Sequence, residues 1–289
     1  MKKTKIKSLC KINLSLRVLG KLNNNYHSIN SLITFCDLHD VVSIYKTNNP
    51  KDVITFSGKF KNGINKKSNT ITKVFQLLRK KKLLLHESFN VNVKKNIPHG
   101  SGLGGGSSNA ADLLNFMNFK MNLKLNKKKI IKIANQIGFD VPINLEKKNT
   151  LIMGKKNEIF RLNQKFKLVI LIVYPNIICS TKKIYKKNNK FSLNKYKPNL
   201  LSQISNKKKL IFFLENEKND LEEAVVSLYP KIGNILDFIR IQKGCNIARI
   251  TGSGSACIGI FSNINAAIFT QKLIKSKFPK CWSFISKTI

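Results

Sequence analysis

The run Pro98-His99-Gly100-Ser101-Gly102-Leu103-Gly104-Gly105-Gly106-Ser107-Ser108-Asn109-Ala110-Ala111 constrains this chain more than any other stretch. Five glycines fall within seven residues, and two serines follow at once. Ala110, Leu113, Leu114 and Met117 then recur at i, i+3, i+4 and i+7, which is one apolar face of a helix. Ahead of the loop, Phe89, Val91 and Val93 alternate with Asn90 and Asn92, which predicts a strand. Strand, glycine loop and helix together make an anion site. Glycines let the backbone come close and take positive φ. The free N–H groups and the dipole of the helix then favour a phosphate. Linker glycines instead alternate with serine and lack such flanks. The run is not a P-loop, because no Gly-Lys-Ser/Thr follows. Gly100, Gly102 and Gly105 spell G-x-G-x-x-G, but residues 115–133 hold no acid where a dinucleotide site needs one.

Around this loop the pattern is mixed. Ile6, Cys10, Ile12, Leu14, Leu16 and Val18 alternate with Lys7, Lys11, Asn13, Ser15 and Arg17, predicting one strand with one buried face that leaves Lys11 and Asn13 together on the other. Strands follow near Ile29–Phe35, Val41–Tyr45 and Val53–Phe56, then a polar loop over Asn62–Ser68 and a helix marked by Ile71, Val74, Phe75 and Leu78. Lys127–Ile137 reads as a helix stopped by Gly138. Thr150–Gly154 and Glu158–Leu162 suggest a hairpin, and Leu168–Tyr174 a buried strand too short to cross a bilayer. Residues 186–199 read as a surface loop. A helix over Ile232–Ile239, a strand–glycine turn–strand over Asn246–Phe261, a helix near Ala266–Lys277 and a final strand close the chain. The order argues for an α+β fold.

A length of 289 residues holds one large or two modest domains, and 42% hydrophobic residues suit a globular core. The formal net charge of +39 points at nucleic acid only at first sight. The lysines are spread through every segment, and Asn, Ile and Phe are abundant with them, the composition that A+T-rich coding bias would give. No zinc-finger or RNP pattern accompanies it. A positive field also draws in anionic substrates. Six cysteines without a C-x-x-C pair read as reduced residues of a cytosolic protein. The four histidines lack metal-ligand spacing. Charged and polar residues at Lys11, Asn13 and Arg17 break any secretory apolar core.

The loop resembles the phosphate loop of the GHMP kinases, the galactokinase, homoserine kinase and mevalonate kinase superfamily. Its full form is most similar to the branch that phosphorylates a cytidyl diphosphate sugar alcohol in non-mevalonate isoprenoid synthesis. Four further stretches agree in order: Cys10-Lys11-Ile12-Asn13-Leu14, Tyr26-His27, Gly138-Phe139-Asp140-Val141-Pro142 and Thr251-Gly252-Ser253-Gly254-Ser255-Ala256-Cys257. The resemblance implies two domains. A ribosomal S5-like, N-terminal nucleotide domain would span 1–155, and a ferredoxin-like domain 156–289.

Phosphoryl transfer needs positioned reactants, neutralised charge and a group that orients the attacking hydroxyl. Pro98, His99, Gly100, Ser101, Gly102, Leu103, Gly104, Gly105, Gly106, Ser107 and Ser108 would form the ATP site, with His99 a spectator. Both serines are expected to cap the helix as well, and Ser107 is the better candidate for phosphate or magnesium. Asp140 is the candidate base; its ordinary role would be a turn aspartate, and the proline at 142 is expected to push the backbone there out of helical geometry. Lys11, which would otherwise be one more solvated strand lysine, is implied beside it. Asn69 and Lys95 are adenine-pocket candidates by position. Asn13, Tyr26, His27, Thr181 and Tyr185 are implied on the acceptor's side, although Lys182 and Lys183 replace apolar residues there and Asn144 replaces an apolar residue after Val-Pro. Gly252 and Gly254 would admit the acceptor's diphosphate, or simply form a tight turn. Mg²⁺ would bridge ATP oxygens with few protein ligands and no separate protein-built metal site. No specific nucleic acid or membrane partner is expected, and the chain should be a monomer or weak homodimer. A homoserine- or mevalonate-type kinase, and a basic nucleic-acid-binding protein, stand as the alternatives.

Overall fold

The computed structural model describes residues 2–22, 27–154, 157–192 and 204–289. By contacts the chain forms two compact units, each drawn from separate stretches. The first takes Met1–Lys11, Leu38–His99 and Gly104–Lys147, the second Ile12–Asp37, Gly100–Leu103 and Lys148–Ile289. The expected boundary at 155/156 lies outside the described residues. Among the described residues no helix is long and apolar enough to cross a membrane.

Strands β1 (Thr4–Asn13) and β2 (Arg17–Lys21) both pair with the long strand β3 (His27–Thr47). Here two expectations are corrected. The single strand predicted over Ile6–Val18 is interrupted at Leu14–Leu16. The N–H groups of Leu14 and Ser15 both reach the carbonyl of Leu32, and Leu16 N–H bonds to Lys218 O at 2.9 Å. Nor is the second face solvated beyond Lys7, since Lys11 and Asn13 are each only 3% exposed. Conversely, the strands expected apart near Ile29–Phe35 and Val41–Tyr45 are one element of 21 residues. Asp40 falls between the two expected strands and could have ended the first. It does not, because its buried carboxylate accepts the N–H groups of Asn96 and Ile97 at 2.7 and 2.8 Å.

In the first unit, β4 (Val53–Ser57) runs parallel to β5 (Ser88–Lys94), and α1 (Thr70–Lys80) supplies the crossover that parallel strands require. Residues 41–47 of β3 pair antiparallel with the other edge of β5. Val42, Ile44, Phe89, Val91 and Val93 then project at period two into one core. Helices α1, α2 (Gly105–Lys120) and α3 (Lys127–Ile137) cover it with Val74, Phe75, Leu114, Met117 and Ile133. After α3, Gly138 is extended at φ 175°, so it ends the helix without a left-handed turn. The short α4 (Val141–Asn144) follows and adds Val141 to the same core.

In the second unit, β6 (Thr150–Met153) and β7 (Glu158–Arg161) form the expected hairpin, and β6 pairs with residues 31–33 of β3. The chain then runs β8 (Val169–Tyr174), α5 (Thr181–Lys187), α6 (Lys207–Glu215), α7 (Glu222–Leu228), α8 (Pro230–Arg240), β9 (Cys245–Ile250), β10 (Cys257–Phe261), α9 (Ile264–Lys277) and β11 (Trp282–Lys287). Strand order is β11-β8-β10-β9, antiparallel throughout, the ferredoxin-like arrangement. β8 has a partner on each edge, which is why Leu168–Tyr174 reads as an unbroken apolar run. Gly259 lets α8 close on β10: a Cβ there would stand 2.8 Å from Ile239 Cγ2. Of the expected surface loop at 186–199, residues 193–199 lie outside the described ones, and 186–187 end α5.

Candidate active site

In the first unit the site is built on the start of α2. Gly104 is its N-cap in the left-handed conformation, φ +68°, and no side chain caps it. The first-turn N–H groups of Gly105, Gly106 and Ser107 therefore point out of the helix with no intrahelical acceptor. The expectation that Ser107 and Ser108 cap the helix is corrected, since both lie inside it. Ser108 is fully buried, its hydroxyl taking a hydrogen bond from Lys147 Nζ at 2.9 Å and facing Asp112. Ser107 stays half-buried.

Lys11 packs under Gly104, where an added Cβ would lie 3.1 Å from Lys11 Cε. Its Nζ stands 3.1 Å from Asp140 Oδ2, with the two side chains 4% and 37% exposed. The site thus pairs a buried ammonium with a carboxylate that opens to solvent. Asp140 leads into α4 with helical backbone, φ −81° and ψ −11°. The expected departure from helical geometry does not occur, because Pro142 falls in the first turn of α4, where a missing N–H costs nothing.

Both flanks of the glycine loop are tied down by Asp40. Its carboxylate pairs with Lys95 Nζ and takes a bond from Asn109 Nδ2 at 3.0 Å, besides the two backbone N–H groups before the loop. Lys95 is 2% exposed, so its charge is committed to Asp40. Asn69 caps α1, accepting the N–H groups of Ile71 and Thr72 at 3.0 Å each. The neighbouring Thr70 hydroxyl donates to Gly106 O at 2.8 Å, joining α1 to the first turn of α2. His99 Nε2 lies 2.8 Å from Asn62 O, which places its ring against the 62–63 turn. Pro98 joins Ile97 to this histidine.

The second unit holds the front of the loop, Gly100–Leu103. Ala256 N–H bonds to Ser101 O at 3.0 Å, while a Cβ on Gly102 would fall 2.1 Å from Thr251 O. Leu103 is fully buried. The motif 251–254 is therefore packed backbone to backbone against the loop. Asn13 joins them, its N–H bonding to Thr251 Oγ1 at 2.9 Å and its amide to Ser31 Oγ at 2.7 Å. Gly252 and Gly254 have φ +58° and +72°. Asn219 Nδ2 donates to both Ile250 O and Gly252 O. Thr181 Oγ1 lies 2.9 Å from Ser253 Oγ, and the His27 and Tyr185 rings stack with centroids 4.6 Å apart. Among the described residues His27 Nε2 is buried with no hydrogen-bond partner. Burial, with Lys21 adding to it, holds the His27 imidazole below its ordinary pKa of 6.5. Tyr26 lies outside the described residues. Lys182 and Lys183 occupy exposed positions of α5, with Ile184 as its buried contact, so the lysines there leave the helix intact.

Reading the sequence for motifs missed Asp40, Asn219, Ser253 and the Lys147–Asp112 pair. The first-turn serines drew attention in their place. Asn69 carried a visible signal for its capping role, an Asn directly before the periodic residues of α1.

Outward N–H donors at a helix start, left-handed glycines and a lysine beside a carboxylate can hold a phosphate chain and take a proton from a hydroxyl. Among the described residues no group of three or more His, Cys, Asp or Glu could hold a metal ion. Two family models match: GHMP kinases N terminal domain at 69–146 and GHMP kinases C terminal at 200–280. The 4-diphosphocytidyl-2-C-methyl-D-erythritol kinase of Pelagibacter ubique is 38% identical over 289 residues, covering 100% of both chains. That of Anaplasma phagocytophilum is 30% identical over 100% of this chain and 96% of its own. A crystal structure of 4-(cytidine 5'-diphospho)-2C-methyl-D-erythritol kinase superimposes with a TM-score of 0.76 at 21% identity, covering 98% of this chain and 99% of the other. The homoserine kinase of Cytophaga hutchinsonii follows at 0.72 and 16%, over 100% and 95%. The fold is the two-domain α+β fold of this group, and the chain belongs to the GHMP kinase family.

Proposed function

We propose that this kinase transfers the γ-phosphoryl group of ATP to the 2-hydroxyl of 4-diphosphocytidyl-2-C-methyl-D-erythritol, a step of non-mevalonate isoprenoid synthesis. The single observation that carries the catalytic half is the Lys11–Asp140 pair at 3.1 Å, under Gly104 at the start of α2. Asp140 accepts the proton of the acceptor hydroxyl, or orients it for attack. Lys11 keeps that carboxylate in place and balances charge on the transferring group. The N–H groups of Gly105, Gly106 and Ser107 bind phosphate oxygens, and the Pro98–Leu103 segment completes the loop. The half-buried Ser107 hydroxyl would be the residue to hold Mg²⁺ beside the nucleotide's phosphates. When bound, the ion neutralises phosphate charge. Lys95 and Asn69 serve the nucleotide by shaping the loop and the α1 start beside it, with their side chains engaged internally.

The acceptor's cytosine fits the His27–Tyr185 pair. Tyr185 offers a ring to stack on, and His27 Nε2, which has no hydrogen-bond partner among the described residues, offers an edge contact. Asn13, Thr181, Gly252 and Gly254 line the adjoining motif, and Tyr26 belongs to the same set by sequence. The free cysteines suit a reducing compartment, so we assign the enzyme to the cytosol. It works as a monomer or weak homodimer, which sedimentation at assay concentration reads directly.

The test is ATP turnover by the purified chain with Mg²⁺ and a panel of acceptors. ADP release only with the cytidyl diphosphate alcohol is expected. Turnover with homoserine or mevalonate instead would overturn the acceptor assignment and leave the family intact. A pH series probes the base contact separately. Because the His27 pKa is lowered, its neutral form dominates at pH 7 and above and is lost only below about pH 6.5. The acceptor's KM should be flat from pH 8 to 6.5 and climb below that, while His27→Gln flattens the climb. An identical climb in His27→Gln rules out this role.

A further inference from the structure

The half-buried Lys147 lies three residues beyond α4, its side chain 19% exposed. Its Nζ is 3.1 Å from Asp112 Oδ2, 2.9 Å from Ser108 Oγ and 2.8 Å from Asn144 O. An ammonium has three donors, and here three acceptors meet them. Ser108 and Asp112 sit four residues apart on one face of α2, in its first and second turns. Asn144 ends α4, is fully buried and passes the connection on, its Nδ2 donating to Asp140 O at 2.7 Å. The links close on themselves. They run from Gly104 along α2 to Ser108 and Asp112, through Lys147 and Asn144 to Asp140, and from Asp140 through Lys11 back under Gly104.

Two facts argue that this brace does more than hold the fold together. A buried ion pair is weak support for stability, because apolar residues of the same volume do as well or better. A helix of four residues such as α4 also cannot fix its own position, since one turn barely covers its nucleation cost. The Asp140 carboxylate is 37% exposed, and its ion-pair partner Lys11 lies outside α4. Something outside α4 must set where it points.

We propose that Lys147 is a positioning residue for phosphoryl transfer: through Asp112, Ser108 and Asn144 it fixes the Asp140 carboxylate relative to the first turn of α2. This rests on the reading of Asp140 as the proton acceptor. It also gives a role to Asn144, the polar residue where an apolar one was expected after Val-Pro.

The test is Lys147→Met in the full chain, with ATP, Mg²⁺ and the acceptor. Burial pushes the Asp112 carboxyl up and Lys147 pulls it back down. Without Lys147 the Asp112 carboxyl keeps its Ser108 hydroxyl and is freer to take up a proton, which limits the cost of leaving it unpaired. A misplacement near 1 Å costs about 100-fold, so kcat should fall by roughly 10- to 100-fold. The KM for ATP should stay within about threefold, since the N–H donors remain in α2. Lys147→Arg should recover part of the loss. In an Asp140→Asn background, Lys147→Met should cost nothing further, because no base is left to position. Equal losses in both backgrounds, or kcat within twofold of wild type, would sink the proposal. If Lys147→Met does not fold, Asn144→Leu decides in its place, for it removes the side-chain link to Asp140 and leaves the ion pair. Wild-type turnover in Asp140→Asn would instead overturn the proton-acceptor reading itself.

Discussion

Asp140→Asn lowers kcat by roughly 10²- to 10⁴-fold, the range expected when a positioned base is removed. The amide keeps the volume and the helical start of α4 but cannot accept the acceptor's proton. ATP affinity should change little, because the phosphate donors belong to the first turn of α2 and not to α4. Lys11→Met is the companion change. It replaces a side chain 4% exposed by an apolar one of similar length, so folding survives while the charge beside Asp140 is gone. Two residues that act as a unit are not additive, so the double variant should be no slower than the slower single one. Steady-state ADP release, with melting curves on the same samples, decides the matter. Asp140→Asn retaining more than a tenth of wild-type kcat in folded protein would remove it from the role of base.

What could be read from sequence follows the range of the interactions involved. The start of α2 was legible, because the glycine run and the i, i+3, i+4, i+7 pattern are local. The helix Lys127–Ile137 and the β6–β7 hairpin were legible for the same reason. The buried strand β8 announced itself by an unbroken apolar run, which is what two neighbouring strands produce. Failures came where a polar residue finds its partner far along the chain. Asp40, between the two strands expected near 29–35 and 41–45, gave no sign of its role because its partners, Lys95 to Ile97 and Asn109, lie more than fifty residues away. Lys11 looked solvated because the alternation around it is regular, and nothing in that alternation says the second face is also covered. Asp112 and Lys147 are separated by 35 positions and were invisible for the same reason. The family resemblance picked Lys11 and Asp140 correctly as neighbours, where strand periodicity alone would have left the lysine in water.

The glycines of the loop are not equivalent, and the contrast gives the second large effect. Gly102→Ala should destabilise the chain sharply. Its φ is +81°, and an added Cβ would fall 2.1 Å from Thr251 O and 3.2 Å from Gly254 O. Both atoms are backbone, held by Ala256 N–H on Ser101 O and by Thr251 N–H on Ala256 O, so no side chain can swing aside. Left-handed backbone costs an alanine about 1–2 kcal/mol. Overpacking a tight contact adds about 1–3 kcal/mol. At roughly 2–4 °C per kcal/mol for a chain of this size, Tm should drop by about 5–15 °C. Gly106→Ala lies only a few residues away and should behave in the opposite manner. It is helical, exposed and open, with Thr70 Oγ1 the nearest atom at 3.6 Å. Alanine is favoured over glycine inside a helix by up to about 1 kcal/mol, so Tm should hold or rise. Its methyl group would nevertheless stand among the N–H donors of the first turn, so the KM for ATP should increase. One glycine is thus demanded by the packing of the chain on itself, the other by the approach of a phosphate. Melting curves and ATP kinetics on the two variants separate these demands. A Gly102→Ala protein that melts with wild type would mean that the 251–254 segment yields, and that its close fit to the loop is not a constraint on the fold.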